Sequence, residues 1–150
     1  MNKLIRKVFS TNSSNWAALP IRLAAGGVFL AHGAQKLFGA WGGHGLQGTA
    51  GFFEGTLHMK PGILWASLAA GGEFFGGVAI LLGLATRFFG LVTTIIMATA
   101  IYTVHNSAFF LANNGMEYAL VLLLASFALV ISGGGAFSAD SLIARKSNAG

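Results

Sequence analysis

Eight ionisable side chains lie within or at the ends of the apolar runs of this chain: Arg22, His32, Lys36, Glu73, Arg87, His105, Glu117 and Asp140. Their types suit proton transfer, hydrogen bonding to a ligand carbonyl, or charge pairing. Glu73 is the most demanding of them. It sits in LAAGGEFFGGVAILLGLATRFFG, residues 68–90, between glycine pairs at 71/72 and 76/77. A charge at mid-bilayer costs about 3 kcal/mol on one scale and far more on another, so the carboxylate is expected to face the protein interior and to have a partner. On a helix it shares its face with Ala66, Ala69, Ala70, Gly76, Gly77 and Ile80, a surface almost bare of side chain. Such a face lets a neighbouring backbone come close, as does the GxxxG spacing of Gly72 and Gly76.

Depth selects the partner. At about 1.5 Å of rise per residue, Glu73 lies roughly 16 Å from the outer end of its helix and His32 roughly 10 to 12 Å from the outer end of its own. Arg87 is about 20 Å along the helix direction from Glu73, and Lys36 reaches it only by bending inward. His32 is therefore the first partner for Glu73 and Lys36 the second. With His105 and Glu117, which fall at the same end, these residues form a candidate ligand-binding set in which His32 and Glu73 handle protons. A flat apolar slot with a few polar groups suits a quinone head group, which needs donors for its carbonyls and a route for protons. Phe29, Trp41, Phe52 and Phe53 are candidate walls for that slot. A second option is a b-type haem held by His32 and His105 from facing helices. A third is a non-catalytic scaffold or assembly subunit, in which Lys36 and Glu117 form an ion pair that only fixes helix packing. No metal site is expected, and His44 and His58 read as solvated loop residues. At the opposite end Arg22, Arg87 and Asp140 form a structural polar layer, the arginines as topology anchors and Asp140 as their counter-ion.

The elements that must position these groups are apolar helices. The chain is 55% hydrophobic and 9% charged, with a mean hydropathy of +0.71, whereas a soluble domain carries about 25% charged residues. These values predict an all-α integral membrane protein with one domain, residues 16–140, built as a four-helix bundle. Spans are expected at about 17–38, 62–84, 87–105 and 116–132. The glycine-rich stretch between the first two is expected as an outer loop with a short interfacial helix at 49–57. Residues 1–15 form a basic tail or short surface helix with no cleavage signal, and 141–150 a polar tail. Lys3, Arg6, Lys7, Arg87, Arg145 and Lys146 fall on one side, whereas Lys36 and Lys60 flank the other, which places both termini in the cytoplasm. The net charge of +5 does not indicate nucleic acid, because the basic residues form no stripe with interleaved aromatics. The chain has no cysteine, so thiolate catalysis, disulfides and iron–sulfur ligation are excluded within it.

Five pieces in this order resemble the DoxX family of small four-helix bacterial membrane proteins. They are RLAAGGVFLAHGAQKLFG (22–39), GGEFFGGVAILLGLATRFFG (71–90), the histidine of YTVHN (102–106), MEYALVLLLASFALVISGGG (116–135) and FSAD (137–140). The family pattern falls on Arg22, His32, Gly33, Lys36, Glu73, Gly77, Arg87, Glu117 and Asp140. The resemblance implies a multi-pass protein of the bacterial cytoplasmic membrane, in a group named for the membrane subunit of a thiosulfate:quinone oxidoreductase. Other members are associated with oxidative stress and thiol redox systems. A soluble or membrane oxidoreductase partner is expected on that ground. A homo-oligomer through the glycine face of the second span is the less favoured use of that face, since Glu73 shares it.

Overall fold

The apolar runs become helices, and the residues that end them are the ones that cannot continue a helix cheaply. The computed structural model describes residues 8–148, among which every regular element is helical. Helix α1 is Ala18–Phe38, α2 Gly45–Gly55, α3 Gly62–Leu82, α4 Thr86–Thr103, α5 Glu117–Ser132 and α6 Ala139–Asn148. Single 3₁₀ turns occupy Ala40–Gly42 and Leu111–Asn113. Gly39 closes α1 and Gly83 closes α3, each in the left-handed conformation with its N–H returned to the last turn. Between α3 and α4 only Gly83, Leu84 and Ala85 intervene, so the two helices are antiparallel neighbours.

Two stretches differ from expectation. The short helix of the glycine-rich segment starts at Gly45, four residues before the expected position, and Thr49 donates its hydroxyl to the Gly45 carbonyl at 2.8 Å. Glycine density does not prevent it because α2 is packed on both α1 and α3. Residues 141–148, read from the sequence as part of a polar tail, form most of α6. Of the N-terminal stretch, residues 1–7 lie outside the described residues. Its remainder is fastened at the far end of the chain: the Thr11 hydroxyl accepts from Gly135 N–H at 2.7 Å, and the Asn15 carbonyl from Ala136 N–H at 2.8 Å.

Helix α3 is the hub, packed against α1, α2 and α4, while α4 packs on α5 and α5 meets α1 over a smaller area. The bare face of α3 explains the tightness of the α1 contact. A Cβ on Gly77 would run into the Leu30 backbone, and one on Gly33 into the Phe74 backbone, so the two chains touch main chain to main chain. Gly72 and Gly76 serve the other side, receiving Ile96 and Thr93 from α4. Between the helices lies a core that includes Ala25, Phe29, Ile80, Met97, Leu122 and Leu129. Outside, Leu68, Phe75, Leu91, Ile95, Leu124 and Ile131 are all exposed, more large apolar side chains than soluble monomers usually present. Helices α3 and α4 are long and apolar enough to cross a bilayer. Helix α1 has the same 21-residue length as α3 but carries Arg22 and Lys36, and α5 has 16 residues.

Candidate functional site

Glu73 is 2% exposed, and its carboxylate is taken by Lys36, whose Nζ lies 2.5 Å from Oε1 and 2.6 Å from Oε2. This corrects the sequence reading, which put His32 first. The reason is the direction of side chains on antiparallel helices. Every Cα–Cβ bond tilts toward its own helix N-terminus, so Lys36 on α1 leans inward while Glu73 on α3 leans outward, and the two converge. The glycine contact at Gly33 and Phe74 brings the backbones close enough for the lysine stem to close the remaining distance. Depth along the axis alone, without that tilt, favoured the wrong residue. Among the described residues this is the one salt bridge. Glu117 is elsewhere: its Oε1 accepts from Leu111 N–H at 2.8 Å, so a Lys36–Glu117 pair does not form.

The pair borders a cavity of about 130 Å³. His32, Lys36, Glu73 and His105 all line it, so four of the five residues chosen as ligand-binding share one space and Glu117 stands outside. Its remaining walls are mainly apolar, with Phe29, Met97 and Leu122 from α1, α4 and α5. Trp41, Phe52 and Phe53 are not among them, because the glycine-rich segment packs over α1 and α3 and not over the cavity. The sequence reading missed Tyr118. It follows Glu117 and precedes Leu122 by one turn on the inward edge of α5, which is the signal that points to it. Its ring is 6.4 Å from that of His32, tilted by 52°. The Nδ1 of His105 lies 3.0 Å from the Asn114 carbonyl oxygen. A carbonyl only accepts, so Nδ1 carries the hydrogen and, in the neutral ring, Nε2 keeps a free lone pair.

At the opposite end the charges are matched to helix termini and not to each other. Arg22, 2% exposed, donates all five of its N–H groups to backbone carbonyls: Nε to Ile80 at 2.9 Å, Nη1 to Gly134 and Ala136, and Nη2 to Leu81 and Phe137. It thereby caps the negative C-terminal end of α3. Arg87 does the same for α5, with Nη1 donating to the Val130 carbonyl at 2.5 Å and Nε to Ser10 at 2.8 Å. Asp140 is not their counter-ion in direct contact. Its two oxygens accept from Ala85 and Thr86 N–H at 2.7 and 2.9 Å, at the positive N-terminal end of α4. Sequence spacing could group these three residues by depth, but the five carbonyls that hold Arg22 come from the α3 terminus and a glycine turn and carry no side-chain signature.

An apolar cavity of about 150 Å³ takes up one benzene ring, and this space, at about 130 Å³, is of that order. Among the described residues no group of three or more metal-ligating side chains lies close enough to hold an ion. Residues 17–106 match the family model DoxX. A Bacillus subtilis protein provisionally named oxidoreductase CatD is 32% identical over 125 residues, covering 83% of this chain and 85% of its own. An uncharacterized Haemophilus influenzae protein is 30% identical over 92 residues, 61% of each chain. No solved structure matches significantly.

Proposed function

The chain belongs to the DoxX family, and on that footing we propose that it is the membrane subunit of a redox system, binding a quinone or similar flat ring beside Lys36 and Glu73. The observation that carries this reading is a buried carboxylate with its lysine at the wall of a mainly apolar cavity, about the size of one ring, that is also lined by two imidazoles. In this reading α1, α3, α4 and α5 are the four spans, α2 covers the outer end, and both termini face the cytoplasm of a bacterial inner membrane. The apolar surface of the helices supports the bilayer setting, and the relative named as an oxidoreductase supports the redox setting. A bound quinone supplies two-electron, two-proton chemistry, with the electrons passing to or from a partner oxidoreductase. This chain's residues do the rest. The Lys36 ammonium would donate a hydrogen bond to a ring carbonyl, the Glu73 carboxylate would balance its charge and could take up a proton when that charge is lost, and His105 would offer Nε2 as an acceptor on the outer side. Without cysteine the chain cannot itself exchange thiols, so any thiol chemistry belongs to the partner.

Extraction of quinone from the purified protein tests the site. The native protein is expected to retain quinone, and Lys36→Ala and Glu73→Gln each to lose most of it while remaining folded by circular dichroism. Unchanged quinone content in both variants would discard the site. A scaffold is the second reading, favoured by Arg22, whose five backbone bonds fasten helices and leave no donor for a ligand.

A further inference from the structure

Helices α1 and α5 are closed against the core along part of their length and open at one place. On α1, Ala25 and Phe29 are each 1% exposed, yet His32 is exposed although it follows Ala25 by a heptad, about 20° around the helix. On α5, Leu122 and Leu129 are buried, whereas Tyr118, one turn before Leu122, is 40% exposed. Both rings line the cavity and lie across from each other, so each is reachable both from the cavity and from the outer surface of the helices. Neither ring is hydrogen-bonded to a described residue. The outer side is covered by a loop, in which Leu111 lines the cavity and is 52% exposed. The loop over the cavity is tied down where Glu117 holds Leu111 N–H, where His105 holds the Asn114 carbonyl, and where Met116 N–H donates to the Ala108 carbonyl at 3.1 Å.

Resting on the single-ring reading of the cavity, we propose that its ligand arrives from the lipid through this gap and is an amphiphile: one ring with an apolar chain. The volume is that of about one ring, so a chain carried by the ring would lie outside it. The gap offers that path, leading from Val28 and Leu122 at the cavity wall to the exposed apolar surface of α5 at Val121. His32 and Tyr118 flank the passage and are free to bond the ring carbonyls as it passes, before Lys36 and Glu73 seat it.

The test uses the intact protein in phospholipid nanodiscs and a benzoquinone with a diazirine on its alkyl chain. Photoadducts are mapped by mass spectrometry with and without excess unmodified long-chain quinone. The expected result is labelling of α1 and α5 beside the gap that is lost under competition. Competed adducts found instead in residues 104–116, on α2 or on any other surface overturn lateral access while leaving the cavity reading intact. Labelling that competitor reduces nowhere overturns the cavity reading, and lateral access with it.

Discussion

Lys36 and Glu73 differ in how well water or headgroups reach them: the lysine side chain is 35% exposed and the glutamate 2%. Removing the two partners is therefore not symmetrical. Lys36→Ala leaves a carboxylate buried with no counter-charge, a change that costs roughly 3–5 kcal/mol when both members of a pair are buried and somewhat less with this exposure. Glu73→Gln leaves an ammonium on a long, partly exposed side chain that can swing toward the surface. Thermal unfolding in detergent is expected to show a clear loss for Lys36→Ala, a smaller one for Glu73→Gln, and recovery of stability when Lys36→Met is combined with Glu73→Gln. Equal losses in the two single variants would mean that the pair is more open than its geometry indicates. The importance of Glu73 and Lys36 is legible in the sequence, since charges are rare in such apolar runs. Their pairing is legible only when side-chain tilt is added to depth. Tyr118 was hidden because it resembles any interfacial aromatic.

At the level of the helices, the contact between α1 and α3 sets the reach of that pair, and glycine sets the contact. Gly33→Ala puts a methyl group into the Phe74 backbone, and neither helix has a flexible side chain there to give way. Overpacking of this kind costs about 1–3 kcal/mol. Gly27, a turn and a half earlier on α1, has nothing within 4 Å of a Cβ. Gly27→Ala is thus expected to be neutral or to raise stability by up to about 1 kcal/mol through helix propensity. Melting temperatures of the two variants check the contrast, and quinone content should fall in Gly33→Ala alone. Helix positions were readable because apolar runs end at Gly39, Gly83 and Gly133, where left-handed or unusual backbone is needed. The helix α6 was not, because Ala139–Asn148 is polar on average and its start is set by tertiary contacts, with Asp140 N–H bonded to the Gly83 carbonyl.

Taken whole, the molecule puts Arg22, Arg87 and Asp140 at one end and Lys36, His105 and Glu117 at the other. The proposed orientation can be read with single cysteines, since the chain has none of its own. Asn113→Cys is expected to react with an impermeant maleimide added to intact cells, and Asn12→Cys only after the membrane is breached; the reverse pattern would invert the topology. The guanidinium of Arg22 also bears on how the protein is made. Its acceptors lie 58 and 59 residues downstream in α3 and 112 to 115 residues downstream in the last turn. At about 5–20 residues per second, the ribosome delivers the last of them on the order of ten seconds after the first helix has emerged. In the proposed bilayer setting a cation in an apolar segment goes without these acceptors throughout that interval, so the opening helix waits on the closing turn before the chain can settle.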